Sequence, residues 1–250
     1  MENYIIFPDI LSLIIMISVI TLGGIIRGFI GFGPALITIP IFAYLYSPAE
    51  ALVLQVIMEI PSTLYLTRLA VKTCNFKTVL PTFISMIFFI PVGMFLVVSM
   101  NPTLMRVFIS IVVIVLVIIL AMNLKLEKLI NQKIMISSGA LGGFLQGLAG
   151  MGGPPIVTIL VARNDSGNET RGNILFLMSG IVIFSIFSQF LYDLISFNLV
   201  LVSTLLSPIY MLATYIGSKY YNYNGKKVFK TSVLILLALI SISTLVASLQ

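Results

Sequence analysis

Histidine is absent from the 250 residues, and cysteine occurs once, at Cys74. Without histidine there is no Ser-His-Asp triad, no histidine metal site and no histidine proton relay. One cysteine excludes an intrachain disulfide. Charge is also scarce: 9% of residues are charged against 59% hydrophobic, a balance no soluble domain sustains. Asp, Glu, Lys and Arg are missing altogether from residues 78–105, 107–124, 134–162, 172–192, 194–218 and 231–250. No Walker A run is present, so ATP is not the direct energy source. The apolar runs lack period-2 alternation, which argues against a β-barrel. The start, Met1-Glu2-Asn3-Tyr4, has no basic n-region and is not read as a cleaved signal peptide.

What is present is a series of apolar runs. Most reach the roughly 20 residues that a helix needs to cross the hydrocarbon core. In lipid the backbone must satisfy its own hydrogen bonds, so helices are expected throughout. The net charge of +6 is no nucleic-acid signal, because Lys and Arg sit mostly in short loops. Three loops are basic: 68–77 with Arg68, Lys72 and Lys77; 123–133 with Lys125, Lys128 and Lys133; and 218–230 with Lys219, Lys226, Lys227 and Lys230. The positive-inside rule puts all three in the cytoplasm of a multi-pass protein of the cell membrane.

Parity then constrains the rest. Spans at 78–100 and 104–122 join outside at Asn101-Pro102. Spans at 172–192 and 197–217 join through an uncharged-to-acidic link that belongs outside, which makes the loop from Arg163 to Arg171 cytoplasmic. Residues 134–162 therefore leave the cytoplasm at Lys133 and return to it by Arg163, so they form a hairpin. A second hairpin at 10–46, followed by a span at 49–67, puts the N-terminus outside, in keeping with Glu2 and Asp9. A last span at 231–249 puts the C-terminus outside as well. The expected fold is an all-α polytopic bundle of two inverted repeats, 1–125 and 126–250, each a broken hairpin plus three spans.

The hairpins share a spacing. The first reads Gly24-x3-Gly28-x2-Gly31-x-Gly33, and each glycine recurs 119 positions later as Gly143, Gly147, Gly150 and Gly152. Glu50 meets Glu169 at the same offset, and Pro34 and Thr38 match Pro154 and Thr158 if Gly153 is an insertion. This supports duplication. Gly24, Gly28 and Gly31 fall on one helical face, suited to close helix packing. Gly33-Pro34 and Gly152-Gly153-Pro154-Pro155 should break the helix. A short helix restarts after each break, at about 35–46 and 155–162, with its N–H groups and positive dipole end free for an anion.

These motifs resemble the sulfite exporter TauE/SafE family of membrane transporters. The resemblance rests on Gly-Gly-Ile-Ile-Arg-Gly-Phe-Ile-Gly-Phe-Gly-Pro at 23–34, on Pro40, and on Gly-Gly-Phe-Leu-Gln-Gly-Leu-Ala-Gly-Met-Gly-Gly-Pro-Pro at 142–155. It spans essentially the whole chain and is specific for the family, not for a substrate. It implies transport of small sulfur oxyanions such as sulfite, of organosulfonates such as sulfoacetate, or of other organic anions. The first copy departs from the expected glycine run, so its anion nest is expected to be the poorer one.

Polar groups inside spans are functional candidates. Arg27 in the first hairpin stands opposite Gln146 in the second; it either pairs with an oxyanion or bridges to Glu59 or an interface. Glu59 lies mid-span before Pro61, as a carrier of a coupling proton or as a structural partner of Arg27. The substrate-binding set is expected to comprise Arg27, Gly31, Gly33, Thr38, Gln146, Gly150, Gly152, Gly153 and Thr158. Gln55, Asn173 and Gln189 are expected to bridge helices, Glu50 and Glu169 to favour helix starts, and Arg163, Asp165 and Arg171 to face solvent. The expectation is a secondary transporter of a small anion without cofactor or metal, with a homodimer left open. The rivals are a non-transporting accessory membrane subunit and an intramembrane enzyme; the latter lacks histidine and clustered acids.

Overall fold

The computed structural model describes residues 10–121, 130–163 and 165–221. The span expected at 231–249, most of the basic loops 123–133 and 218–230, and both termini lie outside the described residues. Among the described residues every regular element is an α-helix: α1 (Ile10–Ile30), α2 (Ala35–Leu45), α3 (Pro48–Ala70), α4 (Phe76–Ser99), α5 (Pro102–Ala121), α6 (Gln132–Ala149), α7 (Gly153–Ala162), α8 (Gly167–Leu191) and α9 (Phe197–Tyr220). Five of these, α1, α3, α4, α8 and α9, are long and apolar enough to cross a membrane. Their outward faces carry bare apolar side chains, including Ile84, Phe88, Phe95, Ile183, Phe187 and Leu212. Water does not tolerate so continuous a surface, and lipid does.

Helix starts follow local chemistry. Ser47 and Glu50 form a reciprocal capping box at α3, with Pro48 in the first turn where its missing N–H costs nothing. Asn75, Asn131, Ser166 and Ser196 cap α4, α6, α8 and α9 through their side chains. Glu169, expected to favour a helix start, sits in the first turn of α8 and also accepts from Asn75 Nδ2 at 3.0 Å. The two short helices begin differently. The chain leaves α1 through Gly31 and Gly33, at φ of 102° and 101°, and leaves α6 through Gly150, at φ 69°. These left-handed conformations are open to glycine and costly for other residues.

Helix packing is built on glycine. α1 lies on α9, where a Cβ on Gly24 would sit 2.7 Å from Ala213 Cβ and one on Gly28 would run into Thr214. Gly217 of α9 returns the contact, since its face rests on the backbone of Ile25. α6 lies on α4 in the same manner: Gly139, Gly143 and Gly147 rest on the backbone of Thr82, Met86 and Ile90, while Gly93 of α4 rests on Phe144. α3 and α8 pack together between these pairs, and α9 also touches α3 as α4 touches α8. Gln189 Nε2 donates to the Leu52 carbonyl at 3.1 Å and ties α8 to α3; Asn173 Oδ1 accepts from the Asn75 N–H at 2.8 Å and ties α8 to the start of α4.

One expectation is corrected. Arg171 does not face solvent. It is 5% exposed, donates from Nη2 to the Gly28 carbonyl at 2.7 Å and from Nε to the Phe29 carbonyl at 3.1 Å, and lies over the Tyr221 ring. The last carbonyls of a helix have no intrahelical partner. At the end of α1 the Arg27 carbonyl takes the Gly31 N–H, and Arg171 satisfies the next two. Arg163 is only partly buried and pairs with Asp165 at 2.7 Å.

Candidate functional site

The two helix breaks come together on one small cavity. From the first hairpin it is lined by Arg27, Gly33, Pro34, Ala35 and Leu36; from the second by Gln146, Gly150, Met151, Gly153 and Pro154. Gln55, Val56 and Glu59 of α3 and Met178 and Ile181 of α8 complete it. Its volume is about 30 Å³. A single water needs roughly 10–15 Å³ on the same measure, so there is room for a few waters or one compact polyatomic ion.

Arg27 and Glu59 are the charged residues of this lining. Both are almost fully buried, at 4% and 5% exposure. Arg27 Nη2 lies 3.3 Å from Glu59 Oε2 and donates to Thr63 Oγ1 at 3.2 Å. Glu59 Oε1 accepts from Gln55 Nε2 at 2.6 Å and from the Tyr210 hydroxyl at 3.2 Å. Gln55 Oε1 in turn lies within hydrogen-bond reach of the Thr38 hydroxyl, which also reaches the Pro34 carbonyl at 3.0 Å and donates to one of the two at a time. A continuous polar chain therefore runs from the first helix break, through α3, to α9. Arg27 Nε is buried and has no hydrogen-bond partner among the described residues. A buried charged donor without a partner is costly and invites an acceptor from outside the chain.

Six of the sequence-predicted residues meet at the cavity: Arg27, Gly33, Glu59, Gln146, Gly150 and Gly153. The other four do not line it. Gly31 abuts Leu175 and Ile174 of α8. Thr38 is fully buried and acts through Gln55. Thr158 donates to the Pro154 carbonyl in its own helix at 2.9 Å. Gly152 gives its N–H to Gln146 Oε1 at 3.1 Å.

That last bond bears on the expectation that the first anion nest is the poorer. Pro154 and Pro155 carry no N–H, and the Gly152 N–H is already taken by Gln146. Of the run 152–155, Gly153 alone has an N–H left for a ligand. At the first break the N–H groups of Leu36 and Ile37 fold back onto the carbonyls of Gly33 and Pro34, at 3.2 and 3.0 Å. Among the described residues no bond takes the N–H of Gly33 or Ala35 at that break, so the glycine-rich second run is no better supplied than the first. The permanent positive charge at the cavity comes from Arg27.

Sequence reasoning missed Tyr210 and Thr63. Thr63 stands one helical turn after Glu59, as Gln55 stands one turn before it, a spacing that could have pointed to it. Tyr210 gives no such signal, because the approach of α9 to α3 alone brings it there.

Apolar spans, an apolar outer surface and a buried polar cavity between broken helices define the class: an all-helical integral membrane protein. Residues 16–244 match the family Sulfite exporter TauE/SafE. The chain belongs to that family, whose name and membrane character imply transport of sulfite or related sulfur anions. No curated protein and no solved structure matches the chain.

Proposed function

We propose that this chain is a secondary transporter of a small anion, a sulfur oxyanion or a compact organosulfonate, which binds at the cavity between the two broken hairpins. One observation carries the reading: both breaks and the buried, incompletely partnered Arg27 converge on the same cavity. An arginine offers planar, multi-donor recognition that suits an oxyanion. Gln146 and the Gly153 N–H complete the ring of donors from the opposite side.

In this reading the halves, 1–125 and 126–250, are inverted repeats that rock against each other for alternating access. The packing supports it, because contacts recur in exchanged pairs. The hairpin helix α1 rests on α9 of the other half, α6 rests on α4, and α3 rests on α8. The basic loops then lie in the cytoplasm and both termini outside. Proteoliposomes holding the purified chain should take up at least one of sulfite, thiosulfate and sulfoacetate, and Arg27→Ala should lower that flux at least tenfold. No flux of any of the three defeats the proposal.

A further inference from the structure

We infer that Glu59 is a proton-operated competitor for Arg27, so that one proton enters the site with each anion. This rests on the transport reading above and specifies its coupling ion. The two oxygens of the carboxylate are engaged differently. Oε1 is committed to Gln55 and Tyr210, at 2.6 and 3.2 Å. Among the described residues Oε2 faces Arg27 alone, at 3.3 Å. A proton can therefore settle on Oε2 without disturbing the other two bonds. When it does, the ion pair is broken and the guanidinium loses its counter-charge. Arg27 Nε is already without a partner, and Nη2 now becomes available too. An anion in the cavity can then take both, which is the bidentate geometry that arginine favours.

Charge balance points the same way. The cavity lining holds one positive and one negative side chain. An anion that enters with Glu59 ionised leaves excess negative charge in a buried site, beside a carboxylate that holds the same guanidinium. An anion that arrives with a proton adds one unit less. Around Glu59, α1 presents Arg27, α9 presents Tyr210, and α3 itself presents Gln55 and Thr63. α2 and α8 add only uncharged groups to the lining, and so do the described residues of the second hairpin. Among the described residues no second carboxylate lines the cavity to compete for the proton.

The proton comes from the aqueous phase on the open side and bonds to Oε2 as the Arg27 contact opens. On the far side it leaves as the anion leaves, and the ion pair re-forms. Each cycle is balanced: one proton and one anion are bound, and one of each is released.

The test uses full-length protein in liposomes and whichever of sulfite, thiosulfate and sulfoacetate carries flux. Uptake is measured with an imposed pH gradient, with the gradient collapsed by a protonophore, and in Glu59→Gln. Wild-type uptake should accelerate at least tenfold with acid outside and lose that gain with protonophore. E59Q should be indifferent to both, and E59D should regain the response. Anion binding to wild type should weaken as pH rises and should stay flat in E59Q. Bisulfite speciation affects both proteins alike, so their difference reports Glu59. An internal pH dye in wild-type liposomes gives the proton count even where E59Q fails to fold. Flux that moves no proton, or an E59Q response identical to wild type, overturns the inference and leaves transport standing. No flux of any of the three anions defeats the transport reading, and this inference with it.

Discussion

Replacing Arg171 with leucine removes a group that the chain uses to end α1. The guanidinium donates to the Gly28 and Phe29 carbonyls at 2.7 and 3.1 Å and reaches Ser218 Oγ at 3.4 Å. A hydrogen bond to a charged donor contributes about 1.5–3 kcal/mol, so the two carbonyl bonds represent roughly 3–6 kcal/mol before correction. Leucine also relieves the cost of burying a guanidinium that is 5% exposed, which offsets part of that loss. A net destabilisation of about 2–4 kcal/mol is expected, including the lost interaction of a cation with the C-terminal helix dipole. Arg171→Lys keeps the charge but presents a point donor instead of a fork, and should retain roughly half of the stability. Denaturant titration of the protein in detergent, followed by circular dichroism, measures both. Because Arg171 holds the turn just beyond Arg27, anion flux should fall as well. A leucine variant within about 0.5 kcal/mol of wild type would refute the reasoning, since it would mean that the two α1 carbonyls find other partners at no cost.

Three further outcomes follow from the packing and the loops. A Cβ on Gly147 would land on the Ile90 carbonyl and 2.6 Å from the Met94 N, neither of which can rotate away, so Gly147→Ala should cost about 1–3 kcal/mol and Gly147→Val should abolish a monodisperse gel-filtration peak. Gly23→Ala is the milder comparison and should cost less, since its Cβ would meet Pro34 Cβ at 3.1 Å, a tight contact but not an overlap with backbone. Burial, and then the Glu169 carboxylate, push the Cys74 thiol up to about 11, from an ordinary 9.0. Only the thiolate is alkylated, so maleimide labelling at pH 8 should run about a hundredfold slower than for a free thiol and rise about tenfold per pH unit towards 11. An impermeant maleimide should label Cys74 in inside-out vesicles and leave intact cells untouched; the reverse would place the 68–77 loop outside.

Much of the fold is written in local sequence. Gly33-Pro34 and Gly152-Gly153-Pro154-Pro155 mark the two breaks, because proline without an N–H acts on its immediate neighbours, although the chain already leaves each helix at Gly31 and Gly150, whose spacing reads as a helix face. The Arg27–Glu59 bridge was legible as one of two alternatives, since two opposite charges in apolar spans must be matched. What local sequence could not convey is where distant segments arrive. Arg171 reads as part of a polar loop with Arg163 and Asp165, and only the end of α1, 143 positions earlier, makes it a buried cap. Tyr210 reads as one aromatic among many until α9 carries its hydroxyl to Glu59. The glycine-rich second run looks like the stronger anion cradle until its two prolines and the Gly152–Gln146 bond are counted against it.

These corrections bear on how the two hairpins divide the work. The break of the second hairpin is tied by its own residue: Gln146 of α6 accepts from Gly152, and the glycine face of α6 is locked against α4. The first hairpin is held from outside. Arg171 of α8 secures the end of α1, Arg27 reaches across to Glu59 and Thr63 of α3, and Thr38 of α2 is tied to Gln55 of α3. The second hairpin is also tied to α4, whose Thr82 and Ser85 donate to the Met135 and Ile136 carbonyls at 3.0 and 2.8 Å, so it keeps its polar bonds only where α4 moves with it, whereas a motion of the first must exchange partners with α3 and α8. The bond that a proton can release, Arg27 to Glu59, belongs to the first hairpin, and the second has glutamine at the matching position. In the proposed mechanism the repeated glycine spacing puts two similar breaks around one cavity, and the unequal residues at 27 and 146 make the first of them the responsive side. If that is so, Gln146→Arg places a second cation at the cavity and weakens the competition that Glu59 exerts, so the pH response of transport should shrink while anion binding persists.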